Sequence, residues 1–312
     1  MTQINIKSKF LGGMIGGALG DCIGELTFRY GNEKTLLTQV AKKDIIRYTD
    51  DTAMAIGIAE TIITTEGNWT TQDLGRIFHA NFNEEPYRGY GSGPPQIFRT
   101  VERSDKNYQE IASQLFGGEG SFGNGASMRI SPLGLFYYDN SDIYEIAKKS
   151  AVATHTNPWG IDGAATLAKL ISLLVPKQPG ELTDQQKNGI LDELIEFSHT
   201  DKYKNILKRG KELIQQNKSL KNVERIIGSG VLAYTSVPFS IFAFLYNPES
   251  YKKNLIDTVL LSRDRDTVGA MVGGLLGAYL GIEAIPDEWI QKIENKSYIE
   301  NLTLKLLELK KE

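Results

Sequence analysis

The chain has 312 residues and a formal net charge of −3 at pH 7, and its 41% hydrophobic and 23% charged residues are typical of a soluble globular protein. It lacks the basic patch that binding to nucleic acid or to an anionic membrane would require, and it contains no signal for a particular oligomeric state. A single cysteine, Cys22, excludes an internal disulfide, and the first ten residues, MTQINIKSKF, lack the apolar core of a signal peptide. We therefore expect a cytoplasmic protein.

The first predicted element is a helix that carries glycine on one face. Glycine recurs every fourth residue in this helix, and the same spacing occurs again near the end of the chain. We call each set a glycine stripe: the first is Gly12, Gly16, Gly20 and Gly24, and the second is Gly269, Gly273, Gly277 and Gly281. Glycine costs a helix interior about 1 kcal/mol relative to alanine, so the stripes need a reason. Residues four apart share a face, and we predict that the two helices pack with their backbones close together or against a shared neighbour. Taken alone, the stripes indicate tight packing without a function.

The second predicted helix begins at an acidic cluster. In RYTDDTAMAIGIAETI, Thr49, Asp50 and Asp51 precede a run of apolar residues at helical spacing. A single cluster of this kind is usually a helix cap with an acidic first turn, which the helix dipole stabilises.

Two glycine-rich loops follow along the chain. YRGYGSGPP contains Gly89 and Gly91, and FGGEGSFGNGASMRISPLGL contains Phe116 and Phe122. Glycine lets backbone N–H groups turn towards an anion, and the two phenylalanine rings could hold a flat base between them. No Gly-Lys-Ser/Thr follows either loop, so neither is a Walker phosphate loop, and each alone is more often a turn than a ligand site. His155, in ATHTNP, could equally cap a helix end.

The remaining segments are predicted as helices separated by prolines. LTDQQKNGILDELIEF opens with a capping box formed by Thr183 and Gln186. Residues 226–248 carry no charge and are long enough to span a bilayer, but small polar residues and Pro238 interrupt them, so we predict two buried segments that break near Pro238. Because no convincing alternating strand pattern is present, we predict one all-α domain over residues 1–312.

A second acidic cluster precedes the C-terminal glycine stripe. In SRDRDT, Asp264, Asp266 and Thr267 repeat the chemistry of the first cluster. Together the two clusters supply four carboxylates and two hydroxyls, and such hard oxygen ligands suit Mg²⁺ or Mn²⁺ rather than zinc. Like charges brought so close would repel each other without a cation between them. The sequence therefore predicts a divalent-metal site where the two clusters meet.

Several motifs taken together resemble the ADP-ribosylglycohydrolase family. They occur in the family's order and spacing over residues 8–290, as GGALGDCIGE, YTDDTAMA, YRGYGSG, GSFGNGASMR, ATHTN and DRDTVGAMVGGLLGAY. The resemblance is closest to the serine-type ADP-ribosylhydrolases, with dinitrogenase-reductase-activating and arginine-type hydrolases as more distant relatives. It implies a compact orthogonal bundle of helices around two Mg²⁺ ions, and a hydrolase that removes ADP-ribose from a protein side chain or a small conjugate.

The resemblance also implies a role for each matching position. The metal ligands would be Thr49, Asp50, Asp51, Asp264, Asp266 and Thr267. The nucleotide would contact Gly89, Gly91, Phe116, Gly120, Ser121, Phe122, Gly123, Asn124 and His155. Mg²⁺ would bind the distal ribose hydroxyls and position a water, and Asp51 or Asp50 would deprotonate that water as charge develops at the anomeric carbon.

Two positions depart from the family pattern. The usual GGDTDT is SRDRDT here, and Arg265 stands where a small hydroxyl residue is usual. Its side chain either turns outward or pairs with a ligand carboxylate and takes the place of one metal. Serine-type members carry a glutamate near the scissile bond where this chain has Phe28. The nearest acid, Glu25, comes three residues earlier and is a further catalytic candidate.

Three hypotheses therefore stand at this point. The first, which the resemblance favours, is a Mg²⁺-dependent ADP-ribosylhydrolase, with an O-linked serine-type bond preferred and an arginine-type bond as the alternative. The second is a homologue that binds ADP-ribose but has weakened catalysis. The third is a structural relative in which the aspartates only cap helices.

Overall fold

Helices form the regular structure of this protein in the computed structural model, which describes residues 4–311. In chain order they are α1 Ile6–Thr27, α2 Glu33–Lys42, α3 Asp50–Thr64, α4 Thr71–Glu84, α5 Gly93–Val101, α6 Tyr108–Ala112, α7 Gly125–Met128, α8 Ser131–Phe136, α9 Ile143–Ala151, α10 Pro158–Leu174, α11 Asp184–Phe197, α12 Asp201–Gln215, α13 Leu220–Ile227, α14 Ala233–Tyr246, α15 Tyr251–Leu261, α16 Arg265–Leu280, α17 Asp287–Ile290 and α18 Lys296–Lys311. Between residues 4 and 311 no strand forms, and isolated bridges join Ile46 to Ile293 and Gly123 to Leu232. The all-α prediction is confirmed.

Helices α1 and α16 pack antiparallel with their backbones in contact. A methyl group on Gly16 would lie 2.5 Å from the carbonyl oxygen of Gly273, and one on Gly20 would lie 2.5 Å from the carbonyl carbon of Gly269. Ordinary contacts between carbon atoms are about 3.5–4.0 Å, so a larger residue would separate the helices. The predicted contact between the two glycine stripes is confirmed. Because the helices are antiparallel, the end of α1 lies beside the start of α16.

The uncharged segment 226–248 breaks at a glycine and not at its proline. Helix α13 ends at Ile227, and Gly228 has a φ of 87°, a conformation that glycine adopts at little steric cost. Pro238 lies inside α14, which continues through it, so the prediction of a break near Pro238 is wrong. The residues around the proline are buried, and this packing offsets the loss of one backbone hydrogen bond. None of the described helices is long and apolar enough to cross a membrane.

The extended segment between α13 and α14 joins two parts of the molecule that carry predicted site residues. The carbonyl oxygen of Val231 accepts a hydrogen bond from the N–H of Asn124 at 2.9 Å, and that of Ser229 accepts one from the N–H of Asp264 at 3.0 Å. The segment therefore holds the glycine-rich loop and the start of α16 side by side.

Candidate active site

A cleft of about 420 Å³ opens where the starts of α3 and α16 face the loops that precede α5 and α7. Most of the predicted ligand residues line it, namely Asp50, Gly89, Gly91, Phe116, Ser121, Phe122, Gly123, Asn124, His155, Asp264, Asp266 and Thr267. Its volume lies within the usual range for small-molecule sites. The fold thus gathers segments that are more than 200 residues apart in the sequence.

Four predicted site residues lie outside the lining of the cleft, namely Thr49, Asp51, Gly120 and Glu25. Gly120 has a φ of 71°, and a side chain there would lie 2.9 Å from the backbone nitrogen of Asn157, so backbone shape alone requires glycine. Glu25 is partly buried near the end of α1, where burial and the charge of Asp266 raise its pKa. Neither residue touches the space in which the cleft would hold a ligand.

A buried aspartate that the sequence analysis did not single out fixes the start of α3. Asp21, on α1, is fully buried, and its carboxylate accepts hydrogen bonds from the backbone N–H groups of Thr49 at 2.9 Å and Thr52 at 3.1 Å. The Thr52 hydroxyl also donates to it at 2.6 Å. Thr49 provides no side-chain cap for α3, so Asp21 caps this helix from α1. A carboxylate inside an apolar, glycine-rich helix needs hydrogen-bond partners, so the presence of Asp21 in the first predicted helix was the signal that could have identified its role.

Five carboxylates crowd the junction of α1, α3 and α16, namely Asp21, Asp50, Asp51, Asp264 and Asp266. Burial and then repulsion by neighbouring carboxylates raise the pKa of Asp50 to about 7. Burial also raises the pKa of Asp264 to about 6, although Asn124 Nδ2 donates to it at 2.6 Å. Within residues 4–311, no lysine, arginine or histidine forms an ion pair with any of the five. The described part of the chain therefore supplies no direct positive partner for this charge.

The Asp51 carboxylate, next to Asp50 in the sequence, lacks a hydrogen-bond partner for one of its oxygens. Thr49 Oγ1 lies 2.8 Å from Asp21 Oδ1 and 2.9 Å from Asp51 Oδ2, and its single hydrogen can serve one of them at a time. Asp51 Oδ1 is buried and has no hydrogen-bond partner among the described residues. A buried oxygen without a partner costs about 1–3 kcal/mol, so this carboxylate favours a further ligand.

The donor set fits a hydrated divalent cation better than a metal site built from protein groups alone. Across the described residues, no three aspartate, glutamate, histidine or cysteine side chains converge into a ready-made ligand group. Mg²⁺ usually keeps several waters and takes one or two carboxylates, and the threonine hydroxyls beside the two acidic clusters add oxygen donors. The unpaired Asp51 oxygen and the crowded carboxylates agree with such a cation. Water and substrate would have to complete its coordination.

The two phenylalanines of the glycine-rich loop lie together on the cleft wall. Their ring centroids are 6.2 Å apart and their planes are inclined by 46°. A flat base between two parallel rings needs about 7 Å, so Phe116 and Phe122 in this structure touch each other and do not bracket an open slot. Phe116 is 56% exposed, whereas Phe122 also contacts the ring of Trp159 in an edge-on arrangement. This arrangement allows a base to stack on one side of the pair.

Further residues complete the lining, and the sequence analysis did not assign them a role. They are Met54, Ser92, Gly93, Pro94, Gly125, Met128, Arg129, Thr154, Val231 and Leu232. Arg129 is fully buried, and its guanidinium carbon lies 4.5 Å from the centre of the Phe78 ring. It stands in the motif GSFGNGASMR, but the sequence does not distinguish a buried arginine from an exposed one.

The two departures from the family pattern contact each other. Arg265 donates a hydrogen bond to the carbonyl oxygen of Thr27 at the end of α1, and its Nε donates to the carbonyl oxygen of Ser262 at 3.2 Å. Its guanidinium carbon lies 5.7 Å from the ring centre of Phe28, which is 52% exposed. Of the two alternatives for Arg265, the structure shows the one in which the side chain turns away from the carboxylates.

Comparison with known proteins assigns the chain to a family. The sequence model described as ADP-ribosylglycohydrolase matches residues 2–312. The chain belongs to the ADP-ribosylglycohydrolase family. Among its relatives, ADP-ribosylhydrolase ARH3 from Bos taurus is 30% identical over 92% of this chain and 89% of its own length. The protein of the same name from Homo sapiens is 29% identical over the same shares.

More distant relatives agree with this assignment. ADP-ribosyl-[dinitrogen reductase] glycohydrolase from Rhodospirillum rubrum is 23% identical over 95% of this chain and 94% of its own length. A solved structure described as an ADP-ribosylglycohydrolase-related protein complex is 21% identical, covers 98% of this chain and 99% of its own, and has a TM-score of 0.73. This last likeness establishes the shared fold, and membership of the family identifies the protein as an ADP-ribosylhydrolase.

Proposed function

We propose that the protein is a Mg²⁺-dependent hydrolase that cleaves the glycosidic bond between ADP-ribose and a protein side chain or small acceptor, with an O-linked, serine-type bond preferred. The observation that carries this proposal is the meeting, in one cleft, of carboxylates from two helix starts with a glycine-rich loop. The part of the cleft that the carboxylates line is suited to bind a cation and ribose hydroxyls. The motif resemblance and the higher identity to the ARH3 proteins than to the dinitrogen reductase enzyme support the serine-type preference.

The glycine-rich loop is suited to bind the diphosphate of ADP-ribose. The backbone N–H groups of Ser121, Phe122 and Gly125 form no hydrogen bond to another described residue. Ser121 and Phe122 are consecutive, whereas the N–H groups of Gly123 and Asn124 are already hydrogen-bonded. Free backbone N–H groups in a loop of this kind can bind an anion. The acidic starts of α3 and α16 lie at another part of the same cleft, so the distal ribose would lie between the loop and the carboxylates.

Asp50 is the carboxylate best placed to act as general base. It lines the cleft, whereas Asp51 faces a small cavity among α1, α3 and α16. Water would attack the anomeric carbon as the bond to the acceptor oxygen breaks, and one water proton would pass to Asp50. The acceptor oxygen would leave with the bonding electrons and take up a proton from the protonated Asp50 or from solvent water. Glu25 lies outside the cleft lining and is a weaker candidate.

The metal would be held by residues of the two acidic clusters. Asp50, Asp264, Asp266 and Thr267 line the cleft, whereas Thr49 and Asp51 lie outside its lining and would reach the cation only if their side chains turned towards it. When bound, Mg²⁺ supplies positive charge that orients ribose hydroxyls and makes a water more acidic. The chain's own contribution is rigidity, because Asp21 fixes the start of α3 and the glycine stripes fix the start of α16. Both clusters therefore reach the cleft in defined positions.

A panel of four substrates tests the proposal. ADP-ribose release would be measured from serine-linked, arginine-linked and DNA-linked ADP-ribose and from O-acetyl-ADP-ribose, each with Mg²⁺ and with EDTA. We expect the fastest release from the O-linked conjugates and its loss in EDTA. Faster release from the arginine conjugate would favour the arginine-type alternative. Calorimetric binding of ADP-ribose without any release would favour the homologue with weakened catalysis. The absence of both binding and release would refute the proposal.

A further inference from the structure

A chain of three buried side chains ends at the cleft. Arg129 is fully buried, and Thr154 and His155 are 2% and 6% exposed. A terminal nitrogen of Arg129 donates a hydrogen bond to Thr154 Oγ1 at 2.8 Å, and Thr154 Oγ1 lies 2.7 Å from His155 Nδ1. A guanidinium group has donors and no acceptor, so the threonine oxygen is the acceptor in the first of these bonds.

The direction of the second bond follows from the single hydrogen of the threonine hydroxyl. Thr154 Oγ1 contacts Arg129 and His155 and no third polar group of the described residues. If His155 Nδ1 carried a proton, the hydroxyl hydrogen would be buried without an acceptor, at a cost of about 1–3 kcal/mol. Thr154 therefore donates to Nδ1, and Nδ1 is the acceptor.

A neutral imidazole that accepts at Nδ1 carries its proton on Nε2. Burial and the charge of Arg129 lower the pKa of His155 to about 3, so the ring remains neutral at ordinary pH. The Nε2 atom lies towards the glycine-rich loop, 3.1 Å from where a side chain would begin on Gly125 and 3.6 Å from the same point on Gly123. It forms no hydrogen bond to a described residue, and His155 lines the cleft.

We propose that Arg129 and Thr154 form a hydrogen-bond relay that holds His155 in its Nε2–H tautomer, so that His155 donates a hydrogen bond to an oxygen of the bound nucleotide. This inference rests on the proposed function for the identity of the ligand. Arg129 and Thr154 act through His155 and are positioning residues. The relay favours a phosphate or hydroxyl oxygen at this point of the cleft and disfavours a group that can only donate.

The tautomer can be observed directly without a ligand. The chain has three histidines, so ¹⁵N-labelled histidine and long-range ¹H–¹⁵N correlation spectra are simple, and His155→Gln assigns the signal. Between pH 5 and pH 8 we expect an unprotonated Nδ1 and a protonated Nε2 for His155. A proton on Nδ1, or a doubly protonated ring, would overturn the relay.

Two substitutions at Thr154 test what the relay does for binding. Thr154→Val keeps the shape and removes the hydroxyl, so we expect ADP-ribose to bind about tenfold more weakly and the Nε2–H signature to be lost. Thr154→Ser restores the hydroxyl and should recover both. Wild-type affinity in the valine variant, or equal loss in both variants, would contradict the relay. If Thr154→Val does not fold, the wild-type spectrum and the serine variant still decide whether the relay sets the tautomer of His155.

The experiment separates this inference from the proposed function. A wild-type protein that does not bind ADP-ribose in calorimetry would refute the proposed function and the donor role of Nε2. The spectrum of the unliganded protein would still decide whether Arg129 and Thr154 set the tautomer. Conversely, normal ADP-ribose binding with a proton on Nδ1 would refute the relay alone.

Discussion

Asp21 and Asp162 are fully buried, and each binds backbone N–H groups at or just before a helix start in another part of the chain. Asp21 accepts N–H groups at the start of α3. Asp162 accepts those of His199 at 3.0 Å and Thr200 at 2.8 Å just before α12, which the Thr200 hydroxyl caps locally. A carboxylate that accepts several backbone N–H groups stabilises a helix start as a local cap does. The residues that benefit are distant in sequence, so local cap patterns do not reveal these two aspartates.

His155 gives a pH-dependent contribution to stability whose sign can be stated. Its pKa is about 3 in the folded protein, against about 6.5 in an unfolded chain. Below pH 6.5 the unfolded state therefore binds a proton that the folded state does not, and folding stability falls as the pH decreases towards 3. Relative to His155→Gln, we expect the wild type to lose about 1.4 kcal/mol per pH unit below about pH 6. Urea unfolding of both proteins at pH 7, 5 and 4 measures this, and parallel pH profiles would contradict it.

At the scale of single elements, local patterns predicted helices well and long-range contacts decided their ends. The capping box of Thr183 and Gln186 is present at the start of α11, as the sequence predicted. The break at Gly228 was not predicted, because the following segment is held by hydrogen bonds to a loop about 100 residues earlier and to the start of α16. Pro238 was misleading because burial of α14 outweighs the missing N–H.

The glycine stripe provides a matched pair of substitutions. A methyl group on Gly20 would overlap the backbone of α16, so Gly20→Ala should destabilise the protein by about 3 kcal/mol or more, or prevent folding. Gly189 lies inside α11 with nothing within 4 Å of an added methyl group, and Gly189→Ala should stabilise by about 0.5–1 kcal/mol. Denaturant unfolding measures both. Equal effects of the two substitutions would show that helix propensity, and not contact between backbones, explains the stripe.

Arg265 should matter for stability and not for the cation. Its guanidinium binds the end of α1 and contacts Phe28, so Arg265→Ala should cost about 1–2 kcal/mol of stability through lost hydrogen bonds. Because the side chain turns away from the carboxylates, Mg²⁺ affinity should change by less than about twofold, which is well under 1 kcal/mol. Thermal unfolding measures the loss of stability, and calorimetry measures the Mg²⁺ affinity. A large gain in Mg²⁺ affinity would mean that the guanidinium competes with the metal.

At the scale of the whole molecule, the site depends on two antiparallel helices from opposite ends of the chain. The sequence predicted that the two acidic clusters would meet, because the glycine stripes that accompany them required close packing. It did not predict which carboxylates face the cleft. That distinction depends on the rotation of α3, which Asp21 fixes, and it separates Asp50 from Asp51. Arg129 and Thr154 were missed for a similar reason, since their role arises from contacts between segments.

The most direct test of the central claim is a calorimetric titration of the metal-free protein with Mg²⁺. We expect Asp50→Asn and Asp264→Asn, at the starts of different helices, each to weaken Mg²⁺ binding by about tenfold or more, because each removes a charged oxygen ligand from one shared site. Asp105→Asn, at an exposed position, serves as the control and should leave binding unchanged. Mg²⁺ binding that survives either of the first two substitutions, or a wild type that binds no Mg²⁺, would contradict the account.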